Sequence, residues 1–226
     1  MKKKYILFSI CTVAVAAAIS LLGAMLFPDR AAALILTVWV CALTCIGAVA
    51  FEVSRISVLR ISLTAAMTAL SVVGRVVFYA VPFFKPVSAA VILCGIWLGP
   101  VPGMVCGALS ALLSGVFFGY GLWLPFQILA WGVIGLIAGL LAKTLKKSRL
   151  LLCTYGIFAA VFFSAFMDVF TVLEFGRFSA EMYVAAVIAA LPVTVIYAAS
   201  NLIFLLVLTP TVGRRMRRVE ASFGGI

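Results

Sequence analysis

Apolar runs, most of them about long enough to cross a lipid bilayer, follow one another along most of this chain. A helix needs roughly 20 apolar residues to span the hydrocarbon core of a membrane. Hydrophobic residues make up 66% of the 226 residues and charged residues only 10%, against about 25% charged in an ordinary soluble domain. A water-soluble globule is therefore excluded, and little of the chain is left for a domain outside a membrane.

Breaks between these runs predict an all-α integral membrane protein with about eight transmembrane helices. The predicted spans cover residues 5–27, 31–51, 61–81, 87–98, 104–118, 123–142, 150–172 and 182–208. The first two form an N-terminal pair within residues 1–60, and the other six form a core within residues 61–226. At about 23 residues the first run exceeds the 7–15 typical of a signal peptide, so a retained span is favoured over a cleaved signal.

Three features of the core spans carry further expectations. The span at 87–98 is too short to cross alone, so it is expected to be buried in protein. The prolines and glycines of residues 99–103 predict a tight break, because Pro cannot continue a helix. Pro192 predicts a kink in the last span.

Basic residues are concentrated on one side of this topology. With the N-terminus in the cytoplasm, 13 of the 17 basic residues fall in cytoplasmic segments. They are Lys2, Lys3, Lys4, Arg55, Arg60, Lys143, Lys146, Lys147, Arg149, Arg214, Arg215, Arg217 and Arg218. Such an excess orients membrane proteins, so both termini of this multi-pass protein of the cell membrane are predicted to be cytoplasmic. The net charge of +11 then reflects orientation rather than nucleic-acid binding.

The sequence contains few residues that are suited to catalysis or metal binding. The chain has no His, and its six Cys lie within or at the ends of predicted spans, where small apolar packing is the favoured role. Cys41 and Cys45 lie one helical turn apart, which leaves a soft-metal pair as the less favoured alternative. The phosphate-loop pattern G-x-x-x-x-G-K-[ST] is absent from the sequence. We therefore predict no enzyme, and no metal or cofactor held by this chain.

Small residues recur at helical spacing in two of the core spans. In the span at 104–118 and its flanks they occupy every fourth position, at Gly103, Gly107, Ala111, Gly115 and Gly119. A second small face lies on the span at 61–81, at Ser62, Ala65, Ala66 and Ala69. Small residues let membrane helices approach closely. The small residues of the second face can serve either of two roles. They pack against another helix of this chain, or they form a docking surface for another membrane subunit.

Polar side chains in the apolar layer are costly and mark candidate functional sites. Arg75, Gln127 and Asp168 come from three predicted helices and reach a similar depth near the outer face. Aromatic residues and one Lys accompany them, so a pocket with aromatic walls is predicted. Its candidate substrate-binding residues are Arg75, Phe83, Phe84, Lys85, Tyr120, Trp123, Gln127, Trp131 and Asp168.

The alternative for this cluster is structural. Arg75 would then pair with Asp168, and Tyr120 and Trp123 would be interfacial aromatics. Asn201, about 20 residues after Glu181, is predicted to lie toward the cytoplasm and to make an interhelical hydrogen bond.

The central part of the chain resembles the substrate-binding S components of energy-coupling factor (ECF) transporters, and most closely the branch that includes cobalamin-type S components. The resemblance covers about residues 61–224. It rests on Gly74-Arg75, Pro82, Lys85-Pro86-Val87, Gly107-Ala-Leu-Ser-Ala111, Gly119-x-Gly121-x-Trp123-x-Pro125-x-Gln127, Ala130-Trp131-Gly132, Asp168-Val-Phe-Thr171 and Ser200-Asn201. The chain departs from the pattern at Gly115, at Leu122 and in its two additional N-terminal spans.

This resemblance implies a six-helix core that captures a vitamin-like molecule on the outer side of the membrane. The family delivers its load with a membrane T component and two ATPase subunits, which use the ATP. The A-x-x-x-A of the family's first core helix meets the T component and corresponds here to Ala65 and Ala69. Resemblance to the cobalamin-type branch makes cobalamin or another corrinoid the expected substrate, with a different vitamin as the alternative.

Two other functions remain open from the residues alone. A membrane scaffold or assembly protein without a small-molecule ligand would use the small faces for packing only. A self-contained secondary transporter would need an internal repeat and an ionisable residue at the midplane, neither of which is evident in the sequence.

Overall fold

The computed structural model describes residues 57–175 and 179–223 without a gap, and scattered positions between residues 11 and 50. The predicted N-terminal spans at 5–27 and 31–51 lie largely outside the described residues. The division of the chain near residue 60 therefore remains a prediction.

Seven helices form the described core. They are α1 (Val58–Val77), α2 (Val87–Leu98), α3 (Pro100–Phe118), α4 (Leu124–Leu140), α5 (Ala142–Lys147), α6 (Arg149–Glu174) and α7 (Ala180–Phe223). Helices α1, α3, α6 and α7 are long and apolar enough to cross a membrane, and α2 and α4 are shorter apolar helices. The prediction of an all-α membrane protein is confirmed, and α5 is a short helix that the sequence did not predict.

Helix α2 lies at the centre of the bundle. Its 12 residues extend about 18 Å, well short of the roughly 30 Å hydrocarbon layer. Ten of them are buried, because α1, α3, α4 and α7 all pack against it. The expectation that this short span is enclosed by protein is confirmed.

The break between α2 and α3 is much shorter than predicted. Only Gly99 separates the two helices, with a φ of 107° that favours glycine. Pro100 and Pro102 already belong to the first turn of α3, where the backbone N–H groups need no helical partner and Pro is tolerated. The prediction of a break through residue 103 was wrong for this reason.

Helix α7 is also longer than the span predicted at 182–208. Its 44 residues include Pro192 and Pro210 without an interruption, so the helix extends about 66 Å. Apolar packing continues past residue 208, with Val212 and Met216 buried against the core. The last part of α7 therefore reaches well beyond one membrane thickness.

Glycines bring the backbones of α2, α3 and α4 into contact. A Cβ atom on Gly103 would meet the carbonyl oxygen of Gly135, and one on Gly135 would meet that of Gly103. Gly95 likewise faces Gly135, and Gly107 faces the backbone of Trp131. The predicted packing role of the small residues in α3 is confirmed, and we call this three-helix contact the glycine seam.

Candidate functional site

A cavity of about 380 Å³ opens where α1 and α3 end and α2 and α4 begin. Helices α6 and α7 contribute further walls, and we call this region the pocket end of the bundle. The lining residues are Arg75, Tyr79, Phe83, Lys85, Val87, Ser88, Phe118, Gln127, Trp131, Ala160, Phe163, Tyr197 and Asn201. Five of the nine predicted substrate-binding residues are thus brought together: Arg75, Phe83, Lys85, Gln127 and Trp131.

Arg75, in the last turn of α1, lies among aromatic rings near a second cation, Lys85. Its Nη1 donates a hydrogen bond to Ser114 Oγ. The guanidinium carbon lies 4.3 Å from the ring centroid of Phe118 and 5.0 Å from that of Trp131. The alternative ion pair with Asp168 is not formed. Because none of the lining residues is acidic, a ligand with acceptor or acidic oxygens would complement this cation.

Lys85 fixes the connection between α1 and α2 as one wall of the cavity. Its Nζ donates to the carbonyl oxygens of Phe78 and Val81, both at 3.1 Å. Its own carbonyl accepts a hydrogen bond from Ser200 Oγ of α7 at 2.9 Å. Burial, and to a lesser degree the charge of Arg75, lower the pKa of Lys85 below its usual value.

Aromatic rings form the remaining walls. Trp131 stacks on Phe163 with centroids 4.9 Å apart and planes at 16°, and its Nε1 donates to Ser88 Oγ at 3.3 Å. Tyr197 meets Phe163 and Phe83 edge to face, at 5.4 and 5.8 Å. Such rings offer flat apolar surfaces on which a planar ligand could stack.

Gln127 supplies a neutral polar group in the first turn of α4. Among the described residues its side-chain amide has no hydrogen-bond partner, although it lines the cavity. Amides both donate and accept hydrogen bonds, so Gln127 is suited to orienting a ligand.

Four predicted site residues lie outside the cavity lining. Phe84 packs against Phe78 and Phe204. Tyr120 donates its hydroxyl hydrogen to the carbonyl of Leu112 and lies against Gly115. Trp123 lies back over Gly121. The turn that begins at Gly119, with a φ of 84°, directs Tyr120 and Trp123 onto nearby backbone instead of into the cavity.

Asp168, the fourth of these residues, is separated from the cavity by its position on α6. It follows the lining residue Phe163 by five positions, which is a rotation of about 140° past one full turn and a rise of about 7.5 Å. Its side chain is 8% exposed, and its Oδ2 has no hydrogen-bond partner in the described part of the chain.

Asn201 lines the cavity. Its Nδ2 donates to the carbonyl of Gly156 at 2.9 Å, so the predicted interhelical hydrogen bond is confirmed. Gly156 lies in the first third of α6, near the end that carries Arg149. That this end faces the cytoplasm, and with it the predicted depth of Asn201, stays a prediction.

Four further aromatic residues line the cavity and were not predicted from the sequence: Tyr79, Phe118, Phe163 and Tyr197. In a chain with 18 Phe and 6 Tyr, an aromatic residue within a span carries little information about whether it faces a pocket or lipid. Tyr197 precedes Asn201 by one helical turn, and this pair of polar groups was the signal that could have identified the α7 wall.

The small face of α1 is exposed along its length. Ser62, Ala65, Ala66 and Ala69 all lie on the surface of the bundle, while Thr64, Met67, Thr68 and Ser71 turn inward. Packing within the described core therefore does not account for the small face.

Metal binding finds no support in the described residues, which contain no group of three or more His, Cys, Asp or Glu side chains able to hold an ion. The described Cys residues, Cys41 and Cys45 among them, are free thiols.

Residues 55–214 match the model of a protein family described as "ECF-type riboflavin transporter, S component". The match runs from just before α1 into the last third of α7 and includes every residue of the cavity lining.

Shorter similarities connect the chain to curated bacterial proteins. A UPF0397 protein of Vibrio atlanticus (strain LGP32) is 31% identical over 87 residues, which is 36% of this chain and 47% of the relative. UPF0397 proteins of Aliivibrio salmonicida (strain LFI1238) and Aliivibrio fischeri (strain MJ11) are 31% and 30% identical over 84 and 87 residues, covering 35% and 36% of this chain and 45% and 46% of those relatives. The chain spans about half the length of the curated relatives it matches. No solved structure matches.

Proposed function

This chain belongs to the ECF-type riboflavin transporter S-component family, and from that premise we propose that it is the substrate-binding subunit of an ECF importer. The family is one of transporter components and not of enzymes. The observation that carries the proposal is the cavity at the pocket end, with its aromatic walls and two cationic side chains.

The cavity indicates the size and chemistry of the substrate. At about 380 Å³ it lies near the lower end of the roughly 300–1,000 Å³ range of small-molecule sites. Arg75 and Lys85 favour carbonyl or acidic oxygens, and Trp131 and Tyr197 favour a planar ring. Riboflavin, which the family's description names, combines a planar ring system with carbonyl oxygens and is our first candidate.

The corrinoid expected from the branch resemblance receives no support from the comparisons. A corrin macrocycle with its amide side chains and nucleotide loop is far larger than a three-ring heterocycle. The small cavity volume therefore favours riboflavin or a molecule of similar size over cobalamin.

Partner subunits complete the proposed importer. ECF S components work with a T component and ATPases, and we place the T component of this importer on the exposed small face of α1. The basic end of the bundle is assigned to the cytoplasm by the charge asymmetry, so both termini are cytoplasmic and the pocket end opens outward.

Direct binding tests the substrate. The full chain, purified in detergent, is titrated with riboflavin while flavin fluorescence is followed, and cobalamin is titrated in parallel by absorbance. We expect saturable binding of one riboflavin per chain, with quenching by the aromatic walls, and no saturable binding of cobalamin. If neither molecule bound and mass spectrometry found no co-purifying metabolite, a scaffold without a small-molecule ligand would become the better function.

Bulky residues on the small face of α1 should separate capture from delivery. We expect the double variant Ala65→Leu/Ala69→Leu to bind riboflavin as the wild type does but to lose at least about 90% of uptake, because close helix approach depends on small side chains. Uptake is measured in cells that co-express the T component and the ATPases.

Helix α7 offers a matched control. Ala185 and Ala189 are also exposed and lie four residues apart, so Ala185→Leu/Ala189→Leu adds the same volume to a different surface. Normal uptake in the α1 variant, or equal loss in both variants, would contradict a docking role specific to α1.

A further inference from the structure

The end of the bundle opposite the pocket carries a dense group of exposed cations. Here α2 ends and α6 begins, with the short helix α5 just before α6 in the chain. The last part of α7 extends past the core at this end. The exposed basic residues are Lys143, Lys146, Lys147, Arg149, Arg214, Arg215, Arg217 and Arg218. In the described segments of these four elements Glu220 is the acidic residue at this end, since Glu174 and Glu181 lie at the other end of α6 and α7.

Trp97 holds two of these cations in place. Lys146 Nζ of α5 lies 4.1 Å from the ring centroid of Trp97, and the guanidinium carbon of Arg217 of α7 lies 5.8 Å from it. The ring fits closely over Gly213 of α7, where a Cβ atom would come within 3.2 Å of it. The partly buried indole of Trp97 therefore brings positive charges from two helices close to each other.

Apolar surface adjoins these charges. Leu140 and Leu141, at the end of α4, and Leu150, at the start of α6, are exposed next to the basic residues of α5. A small soluble anion would meet the cations alone and leave the exposed leucines uncovered. A phospholipid would contact both, because its acyl chains cover the leucines while its phosphate meets the cations.

We propose that Trp97, Lys146 and Arg217 form a binding site for the headgroup of an anionic phospholipid. The phosphate is held between the ammonium group of α5 and the guanidinium group of α7, and the acyl chains lie along the exposed leucines. The site joins α5 to the extended part of α7 and is independent of the pocket and its substrate.

Nanodiscs of defined composition test this site with the full chain. Thermal unfolding is measured in phosphatidylcholine alone and in phosphatidylcholine with one quarter phosphatidylglycerol. We expect the anionic lipid to raise the Tm of the wild type by about 4 °C. The variant Lys146→Gln/Arg217→Gln should lose most of this rise, because both charges at Trp97 are removed.

A charge-matched variant separates a site from a general basic surface. Lys143→Gln/Arg214→Gln removes two exposed cations at the same end of the bundle and should keep the full rise in Tm. Equal loss in both double variants would overturn the proposal in favour of unspecific surface charge. An equal rise caused by inorganic phosphate in pure phosphatidylcholine would overturn it in favour of a free-anion site.

A protein partner is the remaining outcome. If Lys146→Gln/Arg217→Gln responded to phosphatidylglycerol as the wild type does but failed to co-purify with a co-expressed T component and ATPases, the surface would be a subunit contact and the lipid proposal would fail. Riboflavin binding should be unchanged in both double variants, so this test does not depend on the pocket.

Discussion

Replacing Gly135 with Ala is expected to leave almost no correctly folded protein. The added methyl group would collide with the backbone carbonyl of Gly103 and with a side-chain methyl of Val91, and a backbone cannot move aside as the tip of a side chain can. Overpacking a core commonly costs about 1–3 kcal/mol and sometimes more. We expect Gly135→Ala to lower the free energy of unfolding by about 3 kcal/mol or more, because α2, α3 and α4 all meet at this point. The measurement is the yield of monodisperse protein in detergent and its Tm.

Gly132→Ala, on the same helix, is the matched control. Its added Cβ would lie 3.6 Å from Met104, which is an ordinary van der Waals contact. Since Ala favours a helix by up to about 1 kcal/mol over Gly, this variant should be as stable as the wild type or slightly more stable. A Gly135→Ala protein with the Tm of Gly132→Ala would show that α3 and α4 can separate without cost.

Arg75→Gln is expected to weaken riboflavin binding by about 10- to 150-fold. Hydrogen bonds to charged groups contribute roughly 1.5–3 kcal/mol, which corresponds to that range of Kd. The substitution also removes the cation that lies against Phe118 and Trp131, so the aromatic walls lose a fixed spacer. Fluorescence titration gives the Kd, and the Tm shows whether the fold is intact.

Arg60→Gln removes one positive charge from the other end of the same helix. Arg60 does not line the cavity, so its variant should bind riboflavin with the affinity of the wild type. If Arg75→Gln had a normal Tm and bound riboflavin with unchanged affinity, Arg75 would not be a ligand-binding residue. Equal weakening in both variants would point to a general effect of charge on the chain.

Much of the fold follows from the distribution of apolar residues along the chain. The bounds of α2 were predicted to the residue, because Pro86 and Gly99 interrupt the backbone at its two ends. Its burial was predictable as well, since 12 residues cannot cross a membrane. The start of α3 and the end of α7 were not, because Pro is tolerated in a first helical turn and α7 continues through Pro210.

The pocket was predictable where a polar residue stands in an apolar span. Arg75 and Gln127 were identified on that ground, and Lys85 was identified with the aromatic residues that accompany them. Asp168 satisfied the same criterion but is absent from the cavity lining, since the position of a residue along a span does not give the direction in which the helix presents its side chain. Tyr197 and Phe163 were not identified, since aromatic residues are frequent along the chain and only the assembled bundle shows which of them face the cavity.

The single residue between α2 and α3 also has a consequence for how the protein is made. A 12-residue helix is too short to span the bilayer by itself, so we expect it to enter the membrane together with α3 as one hairpin. Two of the helices that pack on α2 arrive later in synthesis: α4 with Gly135 and Gly139, and α7 with Gly213, which lies against Trp97. The innermost helix is thus among the first core segments to be translated and among the last to be enclosed, and a ribosome that stops before α7 leaves it open on one side.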